Sequence, residues 1–243
     1  ALLAHADGRF VRSTASGGRA GDEFVPLTSD IRTSWTTWCD YKECLEDPII
    51  KRLTERMSDV ALVPPNNSEF IQLLRYKECP RAGHPDCQFY RRHHDTIPEL
   101  ETMPCGPRVY TFFLYLSDVE EGGGTKFDLG FTVQPKKGKA VIWPATHNDR
   151  PFVQVRLRAR VKVEVRAGVQ DRVRVRARVG VGAFASRARC SPNPNTLTLT
   201  QDQRTHHEEL PLTKVTKYAS NFWIHKYDYV AAHHMGFTAR EAG

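Results

Sequence analysis

The sequence predicts a mainly β fold with flanking helices, and two patterns carry that prediction. Residues 47–62 are the one segment with clear helical periodicity, whereas from residue 70 onward short apolar runs are separated by Gly- and Pro-rich clusters such as 121–124 and 135–138. One helix followed by many short strands is typical of a sandwich or barrel supported by helices. A chain of 243 residues is long enough to bury such a core.

The helix prediction for residues 47–62 depends on spacing and on its two ends. Apolar residues recur every three or four positions between charged ones, and Pro48 occupies the first turn, where proline is tolerated. Pro64 and Pro65 follow and end the helix. Residues 1–30 are polar and Gly-rich, with one candidate strand at 9–14. The strands predicted beyond the helix are 70–76, 109–116, 131–134, 139–143 and 218–225.

The formal net charge of +7 arises from one segment. Between residues 155 and 201, eleven basic residues stand against two acidic ones, a balance of +9, so the remaining chain carries −2. Residues 155–166 alternate strictly between apolar and mostly basic side chains. Three interpretations are open: a low-complexity insertion such as a retained intron, a basic β-hairpin, or a nucleic-acid-binding arm.

The sequence shows no zinc-type cysteine motif, disulfide framework or membrane-spanning segment. The six cysteines have neither paired CxxC spacing nor a repeated framework, and no apolar run approaches the roughly 20 residues that span a bilayer. We therefore expect no membrane span in this chain and treat residues 1–243 as a single domain. Because the chain begins at Ala1 rather than Met, we expect it to be processed or N-terminally truncated.

The first chemical signal is the pair His93 and Asp95. Side chains two apart on a strand point to the same side, so both could bind one metal ion. With a second His they would form the two-His, one-carboxylate triad of non-haem Fe(II), which leaves positions open for a cosubstrate and O₂. Taken alone, an HxD pair is more often a surface turn.

The second signal is residues 206–211 followed by Lys217 in an apolar strand. A lysine buried in such a strand is costly unless it meets an anion. Ten residues after His207, it could bind the far carboxylate of a dicarboxylate held on the same iron. The alternative is a surface lysine near the end of a strand.

These residues belong to an ordered set of five motifs. They are Tyr90-x-x-His93-x-Asp95; Gly123-Gly124-Thr125-x-Phe127; Pro135-x-x-Gly138-x-Ala140-x-x-Trp143; His207-x-x-x-Pro211 with Lys217; and Trp223-Ile224-His225. The set resembles the Fe(II)- and 2-oxoglutarate-dependent prolyl 4-hydroxylases over residues 8–153 and 202–229. The resemblance implies a double-stranded β-helix (jelly-roll, cupin-like) core.

The resemblance also implies roles for individual residues. Iron would be bound by His93, Asp95 and His207; 2-oxoglutarate by Lys217, Tyr76 and Thr125; and the peptide by Tyr90, Trp223 and Arg108. His207 is preferred to His206 because the family's distal His lies four residues before a Pro and ten before the Lys. His94 should face away from the metal on a strand.

The implied activity is hydroxylation of peptidyl proline at C4, with Fe(II), 2-oxoglutarate and O₂. Ascorbate would restore iron oxidised in uncoupled turnovers. The implied partner is a proline-rich or collagen-like peptide rather than nucleic acid, and the implied location is the endoplasmic reticulum. Alternatives are another 2-oxoglutarate oxygenase with a different substrate, a catalytically impaired binding module or faulty gene product, and a nucleic-acid-binding protein that would depend on 155–201 alone.

Two departures from the family pattern lead to further expectations. Val215 stands where the family has Gly, and because a β-branched residue disfavours positive φ, we expect that turn to differ. Cys79 and Cys87 lie in extra residues between Tyr76 and Tyr90. They are either a disulfide, which would fit an oxidising compartment, or two free thiols.

Overall fold

A computed structural model describes residues 1–20, 23–28, 30–97, 103–148 and 199–237. The predicted insertion at 155–201 lies outside these residues except for its last three. Within the described residues the strands are β1 Val11–Arg12, β2 Thr14–Ala20, β3 Glu23–Thr28, β4 Trp35–Trp38, β5 Gln72–Tyr76, β6 Tyr90–His93, β7 Arg108–Tyr115, β8 Glu121–Gly122, β9 Thr125–Phe127, β10 Thr132–Val133, β11 Ala140–Pro144, β12 Thr146–Asn148, β13 Leu199–Gln201, β14 His207–Glu209, β15 Leu212–Lys214 and β16 Lys217–His225. The α-helices are α1 Leu2–Ala6, α2 Lys42–Leu45, α3 Pro48–Ala61 and α4 Tyr229–His234, and short 3₁₀ turns lie at Pro65–Asn67 and Gln203–Thr205.

Two antiparallel sheets form the centre of the fold. The larger has the order β1-β4-β5-β16-β7-β11 and the smaller the order β10-β9-β14-β6. The chain passes from β5 in the larger sheet to β6 in the smaller, returns to β7, and crosses again before β9, β11, β14 and β16. This alternation between two facing sheets is the jelly-roll arrangement, so the predicted fold class is confirmed.

Alternation along β16 separates two apolar cores. Ala219 packs between the sheets, in a cluster completed by Leu74, Tyr76, Phe113, Tyr115, Phe127, Trp143 and Leu212. Phe222 and Ile224 belong to a second cluster, which includes Leu2 of α1 with Ile50 and Met57 of α3. Helices α1 and α3 therefore cover the outer face of the larger sheet, and the inner face is turned toward the smaller sheet.

Helix α3 confirms the prediction for residues 47–62. The Asp47 carboxylate accepts a hydrogen bond of 2.7 Å from the Ile49 backbone N–H and so caps the N-terminus. Leu62 ends the helix in the left-handed conformation with φ 58°. Both ends thus lie within one residue of the sequence prediction.

The N-terminal region holds more structure than the sequence predicted. In place of one strand at 9–14 the chain forms α1, the short strand β1, and the antiparallel pair β2–β3, in which Thr14 pairs with Thr28. Gly-rich strands have weak apolar alternation, so their pairing cannot be read from hydrophobic pattern alone. Among the described residues, no helix combines the length and the apolar character that a membrane span requires.

Two disulfides are present in the described part of the chain. Cys79 is bonded to Cys87, which decides between the two alternatives for this pair, and Cys39 is bonded to Cys44. The second bond was not predicted, because six cysteines without a repeated framework do not indicate their partners. Cys105 is a buried free thiol.

Val215 has φ 64° and is 46% exposed. The expectation that a β-branched residue would avoid positive φ at this turn is therefore wrong. The strands on either side, β15 and β16, are held by separate pairings with β8 and β5, and these fix the turn between them.

Candidate metal centre and cosubstrate pocket

His93 and His207 face each other across two neighbouring strands. They are direct cross-strand partners of β6 and β14, and their ring centroids lie 4.3 Å apart. A β-bulge follows in the same pairing, between His207 and Glu209. The smaller sheet thus brings together two imidazoles that are far apart in sequence.

Asp95 completes a group of three possible metal ligands. It lies two residues beyond His93, and its carboxylate oxygens are 3.9 Å from Nε2 of His93 and 3.8 Å from Nε2 of His207. One donor atom from each residue lies within 4.8 Å of the others. That spacing fits a single ion bound by two nitrogens and one oxygen.

Backbone carbonyls fix both imidazole rings. Nδ1 of His93 lies 2.8 Å from the Arg91 carbonyl, and Nδ1 of His207 lies 2.9 Å from the Thr205 carbonyl. With a proton on each Nδ1, both rings donate to carbonyl oxygens and keep the Nε2 lone pairs free toward Asp95. Ligand histidines in metal sites are oriented in this way by outer-shell acceptors.

The surroundings of Asp95 hold it as a carboxylate. Burial alone would raise its pKa, but the neighbouring His207 and His93 rings and the hydrogen bond from Thr111 outweigh burial and lower the pKa to about 2. Thr111 and the Trp143 indole donate to the same oxygen, Oδ2, at 2.6 and 3.1 Å. Oδ1 is thereby left as the freer donor atom for a metal.

The imidazole of His93 is neutral at ordinary pH. Burial, together with the nearby His207 ring, holds the pKa of His93 well below its usual range. A neutral imidazole is the form that binds a metal ion. The donor set therefore fits Fe(II): two imidazole nitrogens, one carboxylate, and outer-shell contacts that orient all three.

The sequence neighbours of the two ligand histidines, His94 beside His93 and His206 beside His207, lie outside this group of three. The His94 and His206 rings pack edge to face, 4.9 Å apart. Nδ1 of His94 is hydrogen-bonded to the Thr96 hydroxyl at 2.8 Å, and Nδ1 of His206 contacts the Gln203 carbonyl at 2.9 Å. His94 and His206 thus contact each other; His94 lies outside the ligand group, as expected, although β6 ends at His93 and strand alternation does not extend to it.

Lys217 is fully buried on the inner face of the larger sheet. Its ammonium donates to the Gly123 carbonyl at 2.6 Å and to the carboxylate of Glu209. The rings of Tyr76, Phe113 and Tyr115 surround it at 5.1 to 5.6 Å. The expected anion is present, but it belongs to this chain.

The other two residues expected at 2-oxoglutarate lie in the same pocket. The Thr125 hydroxyl donates to Glu209 Oε1 at 2.8 Å and contacts the Tyr115 hydroxyl at 2.7 Å. The Tyr76 hydroxyl is buried and has no hydrogen-bond partner among the described residues. Burial, together with the Glu209 charge, raises the Tyr76 pKa, so this group remains a neutral donor.

Glu209 is the site residue that the sequence interpretation missed, and a signal for it was available. Glu209 is two residues from His207 on β14, so alternation predicts that both point to the inner face, as argued for His93 and Asp95. The structure shows this alternation: Glu209 is 4% exposed, whereas the intervening Glu208 points outward and pairs with exposed Lys126 at 2.8 Å.

The three residues expected at a peptide lie in different surroundings. Tyr90 is half-buried and stacks on His93 at 3.5 Å. Trp223 is buried, and its indole N–H has no acceptor among the described residues. Arg108 packs on the Trp223 ring at 3.8 Å and is buried itself.

Arg108, the third of these residues, is held by buried Glu69. Its guanidinium donates to both carboxylate oxygens of Glu69 at 2.5 and 2.9 Å, and to the Asp95 carbonyl at 3.3 Å. His225 contacts the same carboxylate at 2.7 Å. This cluster supports the backbone of Asp95 from behind the metal centre.

Comparisons with known proteins agree with this geometry. A family model described as the 2OG-Fe(II) oxygenase superfamily matches residues 71–164. Prolyl 4-hydroxylase 1 of Arabidopsis thaliana is 35% identical over 132 residues, which cover 48% of this chain and 44% of that protein. Prolyl 4-hydroxylase subunit alpha-2 of Gallus gallus is 31% identical over 136 residues, which cover 56% of this chain and 23% of that protein. The chain thus spans less than half the length of these two curated relatives.

Among solved structures, the chain is similar to a prolyl hydroxylase from Trichoplax adhaerens in complex with a hypoxia inducible factor oxygen degradation domain peptide fragment. The TM-score is 0.50 and the identity 14%, with 95% of this chain and 76% of that chain covered. At this identity the likeness concerns the fold alone, and it agrees with the two-sheet arrangement described above.

Proposed function

We propose that this chain is a member of the 2OG-Fe(II) oxygenase superfamily, whose model matches residues 71–164, and that it hydroxylates peptidyl proline at C4. The reaction consumes O₂ and 2-oxoglutarate and yields succinate and CO₂. The observation that carries the proposal is the convergence of His93, Asp95 and His207 within 4.8 Å, with both histidine Nε2 atoms directed at Asp95.

His93, Asp95 and His207 would hold the iron. When bound there, Fe(II) supplies the activation of O₂ and the oxidation of 2-oxoglutarate. The contacts of Arg91 and Thr205 with the two imidazoles, and of Thr111 with Asp95, keep the donor atoms oriented without the metal. Three protein ligands leave the remaining coordination positions to small molecules.

Lys217, Thr125 and Tyr76 would bind the distal carboxylate of 2-oxoglutarate. Their ammonium and hydroxyl groups converge in one buried pocket, and Thr125 pairs across strands with Glu209, two residues from His207. A fully buried ammonium binds a carboxylate strongly because little water competes for either charge.

Tyr90 and Trp223 would contact the proline-containing peptide. The half-buried Tyr90 ring stacks on His93 and lies 4.9 Å from the Arg32 guanidinium, so it places an aromatic ring beside the metal ligands against which a pyrrolidine ring could pack. The buried Trp223 indole N–H lacks an acceptor among the described residues, and a peptide carbonyl could supply one. A proline-rich or collagen-like peptide offers both groups.

We place the protein in the secretory pathway, in the endoplasmic reticulum. The bonds Cys39–Cys44 and Cys79–Cys87 support this, because disulfides persist in oxidising compartments and are rare in the cytosol. L-Ascorbate would act there as the reductant that restores iron oxidised without substrate turnover.

The test is Fe(II)-dependent turnover of 2-oxoglutarate with three peptides of equal length: poly-proline, a collagen-like repeat, and a proline-free control. We expect succinate release and 4-hydroxyproline, detected by mass spectrometry, with the first two only. Succinate release without hydroxyproline on any peptide would support 2-oxoglutarate oxygenase activity and overturn the assignment of peptidyl proline as the substrate. If 2-oxoglutarate is not turned over either with or without peptide, the proposed reaction itself is overturned.

A further inference from the structure

We propose that Glu209 is a built-in competitor of 2-oxoglutarate and sets the affinity of the site for this cosubstrate. The inference rests on the proposed function, since it concerns the residues expected to bind 2-oxoglutarate. The Glu209 carboxylate is ion-paired with Lys217 and hydrogen-bonded by Thr125, so two of those three residues already bind a carboxylate.

The Lys217–Glu209 ion pair is buried, so solvent does not offer a second carboxylate a route to the ammonium. Lys217 is fully buried, and Glu209 and Thr125 are 4% and 1% exposed. The remaining Lys217 contact is the Gly123 carbonyl, and a Cβ on Gly123 would be in van der Waals contact with the lysine side chain, at 3.4 Å. The ammonium therefore has no open side toward solvent from which a second carboxylate could approach.

Two carboxylates cannot share this ammonium at little cost. At separations of a few ångströms in a poorly hydrated interior, like charges repel strongly, and one ammonium neutralises only one of them. 2-Oxoglutarate can thus reach Lys217 only when Glu209 leaves. The apparent affinity of the chain for 2-oxoglutarate is therefore its intrinsic affinity multiplied by the fraction of molecules in which Glu209 has left Lys217.

Replacing Glu209 with alanine should open the site. The substitution removes a carboxylate of acetate size, leaving Lys217 without a counterion and Thr125 without its acceptor. The unliganded variant should melt at a lower temperature than the wild type, because one partner of a buried ion pair is missing. A dicarboxylate that binds in the vacated position should restore the lost stability.

The first experiment needs no metal. Thermal melting of wild type, Glu209→Ala and Glu208→Ala is followed as glutarate or 2-oxoglutarate is raised to 10 mM. We expect a clear rise in melting temperature for Glu209→Ala only. Glu208→Ala is the matched control because Glu208 lies next to Glu209 but pairs with exposed Lys126 on the opposite face.

The second experiment measures 2-oxoglutarate binding by calorimetry with Mn(II) in place of Fe(II). We expect a dissociation constant at least tenfold lower for Glu209→Ala than for wild type, and no change for Glu208→Ala. Should Glu209→Ala fail to fold, Glu209→Gln keeps the shape and removes the charge, and its affinity should shift in the same direction.

The outcomes separate the two proposals. Equal 2-oxoglutarate affinities for wild type and both Glu209 variants, or weaker binding by the variants, overturn the competitor role and leave the proposed function standing. If no form of the protein binds 2-oxoglutarate with Mn(II) present, both proposals are overturned. Tighter binding by the variants, with dicarboxylate rescue of Glu209→Ala, supports both.

Discussion

His93 and His207 are direct cross-strand partners, and their rings lie 4.3 Å apart on β6 and β14, at one edge of the smaller sheet. This register decides which member of each His-His pair can reach a metal. A shift of one residue on β14 would place His206 opposite His93 and turn His207 outward, because strand side chains alternate.

The register predicts unequal effects for the two neighbouring histidines. His207→Ala removes a ligand, so its effect on Mn(II) or Fe(II) affinity should exceed the 10- to 100-fold loss that is roughly typical of outer-shell changes, and turnover should vanish. His206→Ala should keep most of both. Calorimetric metal titration of the two variants provides the measurement, and equal losses would show that the assigned register is wrong.

Thr111 should matter through Asp95 rather than through substrate. Its hydroxyl donates to Asp95 Oδ2 at 2.6 Å, and Thr111→Val removes that bond with little change in volume. We expect a loss in metal affinity of about 10- to 100-fold. Thr213→Val is the matched control, since the buried Thr213 hydroxyl has no partner among the described residues. Similar affinities for both variants would contradict the role.

The buried cluster of Glu69, Arg108 and His225 predicts how stability depends on pH. Burial alone would lower the His225 pKa, but its hydrogen bonds to Cys105 and Glu69 raise it from 6.5 to about 9. Burial alone would raise the Glu69 pKa, but the Arg108 charge and the His225 hydrogen bond lower it from 4.5 to about 2. Each group is thus held in its charged form by the others.

The signs of these shifts define a pH window. The raised His225 pKa contributes stability that is complete below pH 6.5 and is lost as pH rises through about 9. The lowered Glu69 pKa contributes stability above pH 4.5 that is lost as pH falls through about 2. The cluster therefore stabilises the fold most between pH 4.5 and 6.5.

His225→Gln should show this window in urea unfolding. Its deficit in unfolding free energy relative to wild type should be largest at pH 5.5 and shrink by about 3 kcal/mol by pH 9.5, the size that such a pKa shift corresponds to. The exposed His234→Gln serves as the control and should show a flat, small difference. A deficit for His225→Gln that does not change with pH would refute the charged pair.

Sequence reasoning recovered the parts of this site that depend on local rules. Helix α3 and the five strands β5, β7, β10, β11 and β16 follow from spacing, and His93, Asp95 and His207 were assigned through motif order. Alternation on β14 would also have placed Glu209 beside His207. The burial of Arg108 against Glu69 could not be foreseen, since it depends on the packing of β7 against a loop far away in sequence, which no local pattern encodes.

Val215 predicts a stabilising substitution. L-residues in the left-handed region lose roughly 1–2 kcal/mol, while glycine does not. Val215 has φ 64° and is 46% exposed, so Val215→Gly gives up little packing. We expect a gain of about 1 kcal/mol in unfolding free energy and a melting temperature a few degrees higher.

A matched substitution checks that this gain comes from the backbone conformation. Val60 is 60% exposed in the last turn of α3, where its backbone is helical. Val60→Gly should destabilise the protein by about 0.5 kcal/mol or more, since glycine weakens helices. If both variants lose stability, the positive φ at Val215 is not the source of strain.

The pairing of β12 with β13 predicts that a short turn can replace residues 149–198, which include most of the basic segment. Asn148 pairs directly with Leu199, and Thr146 with Gln201, so the residues on either side of 149–198 lie adjacent. An Asn-Gly turn joins such antiparallel partners well. Replacing 149–198 with Asn-Gly should keep the fold, because shortening a loop lowers its closure entropy by about 0.6 kcal/mol per halving of length.

Removing 155–201 instead tests whether that whole segment is foreign to the domain. This deletion joins residue 154 to Asp202 and takes β13 away from β12, exposing the strand edge that Leu199–Gln201 covers. We therefore expect the 155–201 deletion to melt at a lower temperature than the Asn-Gly replacement, while both bind Mn(II) with the affinity of the full chain. A 155–201 deletion that is equally or more stable would mean that residues 150–154 can pair with β12 as well as β13 does, and that the domain needs none of the 47 residues.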